Sequence, residues 1–176
     1  DNPGGLLTAA VDIGSRFVES GPIVIIQERG NQRSTLDVEP EKHNHRRYPL
    51  VVLVNSRSAS ASEIVAGAIH DNGVGTLVGS TTFGKGKVQT IVPLIDGSSV
   101  SITTAKYLTP AGIDINKVGI KPDVVIDVPD IVSADVDPDD PKNDKQLLRA
   151  LEVLKEKLAG GAATTADLSG SARAGL

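Results

Sequence analysis

Cysteine, methionine and tryptophan are absent from the 176 residues. Without cysteine there can be no disulfide, no thiolate nucleophile and no thiolate metal site. Aromatic residues amount to 2% of the chain, two Tyr and two Phe, too few for a platform on which bases or sugars stack. No apolar run reaches the 18 residues of a membrane-spanning helix, and no basic-then-apolar start marks a signal peptide. An excess of basic charge is missing as well. Lys and Arg number 18 against 22 Asp and Glu, a formal net charge of −4, which argues against a nucleic-acid partner. With 39% hydrophobic and 23% charged residues, the chain can bury a core rather than remain disordered. Its length is that of one domain with a little to spare. It opens on Asp1 inside what reads as a motif, so a piece of a longer protein is expected.

Apolar residues at Leu6, Leu7, Ala10, Ile13, Phe17 and Val18 have helical spacing, closed by Gly21-Pro22. Ile23 to Ile26 reads as a short buried strand, and residues 28–48 as a polar hairpin or long loop. Tyr48-Pro49-Leu50-Val51-Val52-Leu53-Val54 is apolar on both faces, as a central parallel strand would be. It leads through Asn55-Ser56-Arg57-Ser58 into a helical stretch, Ser60 to His70, and then to a strand at Thr76-Leu77-Val78. That order predicts a βαβ unit with a right-handed crossover. Val88–Leu94 and Ser99–Ala105 flank Asp96-Gly97, a hairpin signal, and Val124-Val125-Ile126 is a last strand. The expected organisation is a core over 1–128, an acidic proline-containing linker over 129–145, an amphipathic helix over 146–158 marked by Leu147, Leu151, Leu154 and Leu158, and a disordered Ala/Gly/Ser/Thr tail over 159–176.

Chemistry concentrates in two segments. Ser56-Arg57-Ser58-Ala59-Ser60-Ala61-Ser62-Glu63 lies at a strand-to-helix turn, where α/β folds expose a nucleophile beside the free N–H groups of a helix N-terminus. The plainer reading is a capping box between Ser60 and Glu63, and the two roles are compatible. The second segment is Phe83-Gly84-Lys85-Gly86-Lys87-Val88-Gln89. With Gly79 it matches a phosphate-binding loop except at the last position, where Gly86 replaces the Ser or Thr that holds Mg²⁺. It also precedes a strand rather than a helix; both features speak against a phosphate-binding domain, which stays as a third reading, and a glycine turn with solvated lysines is the plain alternative.

A serine nucleophile needs a base. His43 and His45 sit in the polar loop, and His70 lies ten residues beyond Ser60, about 15 Å along the helix. Lysine can serve if desolvation lowers its pKa from about 10.4 to about 7.5, roughly 4 kcal/mol. An apolar neighbour such as Phe83 could help supply that, and Gln89 could orient the amine. If the segment is strand throughout, Lys85, Lys87 and Gln89 share a face.

These segments resemble the carboxyl-terminal processing peptidases, also called tail-specific proteases. The resemblance rests on Ser58-Ala59-Ser60-Ala61-Ser62-Glu63-Ile64 and on Phe83-Gly84-Lys85-Gly86 with Gln89. Asn2-Pro3-Gly4-Gly5, Tyr107-x-Thr109-Pro110-x-Gly112 and Gly119-Ile120-x-Pro122-Asp123 follow the family in the same order, so that it covers roughly residues 1–127. It implies an α/β fold, a partial crotonase-like or Clp-protease-like ββα superhelix, and a Ser-Lys serine endopeptidase cutting proteins near their C-termini. By the resemblance Ser60 is the nucleophile, Lys85 the general base and Gln89 its support. The oxyanion hole would take the backbone N–H of Ala61 and that of Gly4 or Gly5. Asp71, after the active-site helix, is expected to be structural rather than a proton carrier.

No cofactor or metal is implied. The implied partners are protein or peptide substrates bound through their C-terminal region, with no nucleic acid and no integral membrane segment. The implied location is exported: periplasm, cell envelope or thylakoid lumen. The family's N-terminal region and substrate-capturing PDZ module have no counterpart in these residues. The alternative is a catalytically inactive binding or assembly relative, against which the presence of Ser60, Lys85 and Gln89 speaks.

Overall fold

In a computed structural model, residues 1–45, 48–126 and 140–170 are described, with side chains as far as residue 159. The order is α1 (Leu7–Ser15), β1 (Pro22–Glu28), β2 (Arg33–Asp37), a 3-10 turn (Pro40–Lys42), β3 (Val51–Val54), α2 (Ala61–Asp71), β4 (Thr76–Gly79), β5 (Lys87–Pro93), β6 (Ser99–Leu108), β7 (Val124–Val125) and α3 (Lys145–Gly170). The strands form two sheets. One is antiparallel in the order β2-β1-β6-β5, the other parallel in the order β3-β4-β7.

The expected βαβ unit is present as β3-α2-β4, with β3 and β4 parallel. Among the described residues β4 lies between β3 and β7 in that sheet. Leu77 and Val78 on β4 are fully buried, whereas Leu53 on β3 is 43% exposed. An apolar strand is consistent with either position, because periodicity reports burial and not the number of neighbours. Alternation along β4 sends Leu77 into a cluster with Val54, Ala66, Ile115 and Ile120 on the α2 side. Val78 goes to the opposite side, against Ala150 and Val153 of α3.

A third cluster joins α1 (Ala10, Val11), Val18, β1 (Ile23, Val24) and α2 (Ala61, Ile64, Ala68). Small residues allow this closeness. A Cβ on Gly14 would meet Ile23 at 3.0 Å, and one on Gly67 would meet Thr109 at 3.2 Å. α2 is thereby enclosed between α1 and β1 on one side and the parallel sheet on the other, and its axis is fixed.

The polar stretch 28–48 supplies β2, paired antiparallel with β1, and the 3-10 turn. Lys42 of that turn forms ion pairs with Asp12 and Glu39. Most of the linker expected over 129–145 lies outside the described residues. The terminal helix begins at Lys145, where the Gln146 amide donates to the carbonyls of Val54 and Val78, each at 2.9 Å.

The far end of α2 is anchored by charge. The two oxygens of Asp71 bind the His70 ring and the Ala111 N–H, each at 2.9 Å, and Asp123 accepts the Leu77 N–H at 2.7 Å. His70 also lies 3.4 Å from Asp123. Two of the sequence motifs, around Thr109-Pro110 and Pro122-Asp123, are thus brought together by the end of this helix. Burial alone would raise the Asp71 pKa, but the hydrogen bonds from the His70 ring and the Ala111 N–H help hold it below its ordinary value of 3.8. A carboxylate whose folded pKa is depressed stabilises the fold fully above its unfolded pKa, and that contribution fades as pH falls through the folded one. Urea midpoints measured from pH 6 down to pH 2 should therefore fall more steeply for the wild type than for Asp71→Asn. Parallel curves would show that Asp71 carries no linked stability.

Candidate active site

The turn from β3 into α2 is built by its own polar side chains. The Asn55 N–H donates to the Ser58 hydroxyl at 3.1 Å, the Ser58 N–H to the Asn55 carbonyl at 2.9 Å, and the Arg57 N–H to the Asn55 side chain at 3.0 Å. The first residues of the chain lie alongside. The Asn2 carbonyl accepts the Ala59 N–H at 2.9 Å and the Ser62 hydroxyl at 2.8 Å, and Asp1 pairs with Arg57 at 3.2 Å. Of the three serines, Ser58 and Ser62 are engaged in holding loops together. Ser60 stands half-exposed between them.

Ser60 has φ 59° and ψ −121°, on the left-handed side that a non-glycine residue adopts at a cost of about 1–3 kcal/mol. Ordinary N-caps are extended. The turn is therefore sharper than a cap requires, and sharpness is what lifts a side chain clear of its own helix. Gly4, at φ +98°, makes that possible. A Cβ there would lie 2.6 Å from the Ala59 carbonyl, 2.8 Å from the Ala61 nitrogen and 2.9 Å from the Ser60 Cβ. Only glycine lets the Asn2–Gly5 backbone approach so closely.

Glu63 holds the arrangement. Its side chain is fully buried and accepts four hydrogen bonds. Oε2 receives the Ser60 N–H at 2.9 Å and the Lys85 N–H at 2.8 Å. Oε1 receives the Gly84 N–H at 2.7 Å and the Thr82 hydroxyl at 2.5 Å. The backbone nitrogens of Ser60 and Lys85 share one oxygen, so their separation cannot exceed those two bonds laid end to end. Thr82 Oγ1 in turn accepts the Ile120 N–H at 2.7 Å, and the Phe83 N–H donates to the Ser58 carbonyl at 2.9 Å. The capping box expected of Ser60 and Glu63 is present, but its glutamate reaches beyond the helix to a loop twenty residues downstream.

That loop is packed as tightly as the turn. A Cβ on Gly84 would meet the Gly119 and Val118 nitrogens at 2.9 Å, and one on Gly86 the Asn116 nitrogen at 2.9 Å. β5 starts only at Lys87, so Lys85 lies in the loop, and the strand alternation expected to aim Lys85, Lys87 and Gln89 to one side does not extend to it. Lys85 and Gln89 are both exposed and share no hydrogen bond among the described residues; Gln89 sits opposite Thr103 in the hairpin. Phe83 is 63% exposed and provides no apolar cover. Of the expected residues, the structure gathers Ser60, Ala61, Gly4, Gly5 and the backbone of Lys85, and leaves Gln89 apart.

The two glycines are distinguished. The Gly4 N–H donates to the Asn2 side chain at 3.0 Å, whereas the Gly5 and Ala61 N–H groups have no acceptor among the described residues, and the space around Gly5 is open. Thr82 was not singled out from the sequence, and Glu63 was read only as a cap. The signal that could have found them is weak: a buried carboxylate needs donors, and glycine loops supply them.

A family model, that of peptidase family S41, matches residues 1–126. The chain belongs to that family. It is 44% identical over 137 residues to the "C-terminal processing peptidase, chloroplastic" of Tetradesmus obliquus, which covers 78% of this chain and 29% of that one. It is 46% identical over 136 residues to the "Carboxyl-terminal-processing protease" of a Synechocystis strain, covering 77% and 31%. The solved structure of a photosystem II D1 C-terminal processing protease superimposes with a TM-score of 0.66 at 46% identity, over 72% of this chain and 32% of that chain. The chain thus spans about a third of the length of these relatives.

Replacing Glu63 by glutamine keeps the shape and turns one acceptor into an NH₂ facing N–H donors. Leaving buried groups unpaired costs about 1–3 kcal/mol each, so Glu63→Gln should lose at least about 2 kcal/mol in urea unfolding. Ser62→Ala, which removes a half-buried hydroxyl shared between the Asn2 and Ala59 carbonyls, should lose no more than about 1 kcal/mol. Equal losses in the two variants would mean that the carboxylate is not the joint described.

Proposed function

We propose that this chain carries the catalytic core of a serine endopeptidase that cuts polypeptides near their C-termini, with Ser60 as nucleophile and Lys85 as general base. The observation that carries the reading is the Glu63 carboxylate, which ties the backbone of both residues to a single oxygen. Membership of the S41 family and similarity to C-terminal processing proteases support it.

In this mechanism the Lys85 amine takes the proton of the Ser60 hydroxyl as Oγ attacks a substrate carbonyl. The tetrahedral oxyanion faces the N–H groups of Ala61 and Gly5, and the Gly4 N–H, held by Asn2, is left out of the hole. Such a donor contributes about 3 kcal/mol when it is already in place, and the Gly4 contact with Ala59, Ser60 and Ala61 is what places its neighbour. The proton then passes from Lys85 to the leaving amine, and water repeats the sequence to release the acyl group. No metal or cofactor takes part.

A lysine acts as a base only out of water, and Lys85 is exposed beside an exposed Phe83. A polypeptide lying across both would supply the cover, so substrate binding itself completes the dyad. In that state Gln89 can reach the amine. The finer fold is read as part of a crotonase-like or Clp-protease-like ββα superhelix, on the support of the parallel β3-α2-β4 unit. An exported setting, bacterial envelope or thylakoid lumen, fits the chloroplastic relative. Among the described residues no helix is long and apolar enough to cross a membrane.

Ser60→Ala should abolish peptide cleavage and labelling by a serine-directed fluorophosphonate, while Ser58→Ala and Ser62→Ala keep both. Retained cleavage in Ser60→Ala assigns the wrong serine. Lys85→Arg should be as inactive as Lys85→Ala, because a guanidinium cannot be deprotonated in a protein. Turnover in Lys85→Arg within tenfold of wild type would show that only the positive charge is needed. Lys87→Ala should leave rates unchanged.

A further inference from the structure

α3 lays one face on the parallel sheet. Gln146, Ala150 and Val153 are spaced by four and three residues, so they share one side of the helix, and Ala150 and Val153 pack on Val78 of β4. Gln146 is the polar member of this row. The Asp144 carboxylate caps the helix by accepting the Leu147 N–H at 2.8 Å, which holds Gln146 in the first turn, over the ends of β3 and β4. There its amide nitrogen, with two hydrogens to give, lies 2.9 Å from the Val54 carbonyl and 2.9 Å from the Val78 carbonyl. Gly79, at φ +139°, makes room for it: a Cβ there would overlap both the Val54 carbonyl and the Gln146 amide.

Val54 and Gly79 stand opposite one another in register and are the last residues of their strands. Six residues beyond Val54 comes Ser60, and six beyond Gly79 comes Lys85. The turn of the candidate nucleophile and the loop of the candidate base therefore leave the sheet at two strand ends that a single side chain joins. Glu63 ties the same two segments together further on, from the α2 side. Gln146 ties them where they start, from the opposite side of the sheet.

We propose that Gln146 is a positioning residue for peptide cleavage: its amide fixes the spacing of the β3 and β4 ends, and through them the separation of Ser60 and Lys85. This rests on the peptidase reading above. It adds to the site a part of the chain, α3, that lies beyond the residues 1–126 matched by the family model. Cleavage thereby depends on α3 being seated, because a helix that leaves the sheet takes the clasp with it. The Ser80 N–H reports on the joint, since it donates to the same Val54 carbonyl at 3.1 Å.

The test compares three variants of the full chain. Gln146→Met keeps the length of the side chain and removes both donors, and Gln146→Lys returns donors to the two carbonyls. Ile69→Val, at a position 2% exposed near the other end of α2, is a control that lowers stability without touching the joint. Thermal midpoint, hydrogen exchange of the Ser80 and Lys85 amides, and kcat and KM for a fluorogenic peptide are read on each. A displacement of about 1 Å can cost about 100-fold in rate. Gln146→Met should therefore lower kcat at least about tenfold with KM unchanged, and both amides should exchange faster as the strand ends open. Gln146→Lys should recover most of the loss. Ile69→Val should lower the midpoint and leave kcat and both amides as in the wild type. Unchanged kcat and exchange in Gln146→Met overturn the proposal. So does a Gln146→Lys protein as slow as Gln146→Met, or a fall in kcat that Ile69→Val reproduces at an equal loss of midpoint. Exchange and cleavage are read separately: faster exchange in Gln146→Met beside a wild type that cuts no peptide counts against the Ser60–Lys85 chemistry and not against the clasp.

Discussion

One buried carboxylate organises the candidate site. A charge removed from water is tolerated only when its oxygens are fully hydrogen-bonded, and Glu63 meets that condition by drawing in three backbone N–H groups and a hydroxyl. The donors come from two segments far apart in sequence, the turn before α2 and the glycine loop before β5. The condition that lets Glu63 be buried is thus the same one that fixes the loop of Lys85 against the turn of Ser60. The left-handed backbone of Ser60 depends on it as well, since the N–H that this conformation exposes is the one Glu63 accepts.

α2 transmits this constraint through the fold. At its N-terminus it carries Ser60 and Glu63. At its C-terminus Asp71 and His70 collect the 109–111 turn and Asp123, so the motifs that follow the glycine loop are held by the same helix as the turn that precedes it. Between the ends, Gly67, Ala66 and Ala68 let β1, Thr109 and the parallel sheet close on the helix. A rigid helix held at both ends is a suitable carrier for a strained residue, because strain persists only where the surroundings over-determine it.

Backbone order at the site contrasts with side-chain exposure. The N–H of Lys85 is buried in the Glu63 network while its amine faces solvent beside Phe83. In the proposed chemistry the protein thus fixes the position of the base and leaves its desolvation to the arriving polypeptide. Water exclusion then accompanies binding, which couples recognition of a tail to competence for cleavage.

The sequence by itself determined the elements and most of the residues of interest. Helical spacing gave α1 and α2, the Asp96-Gly97 signal gave the β5–β6 hairpin, and the serine cluster and glycine loop marked the two halves of the site. These are local properties, set by side-chain periodicity and backbone preference over a few residues. Three matters were decided only in three dimensions. Among the described residues β4 took the place between β3 and β7, an order that an apolar strand does not specify. Lys85 left the strand, because Gly84 and Gly86 pack against residues 115–119 and Glu63 takes the Lys85 N–H. Glu63 itself changed from a helix cap into the joint of the site, because a carboxylate at the third position of a helix can satisfy its own cap and still has lone pairs that only a distant loop, brought close by packing, can fill.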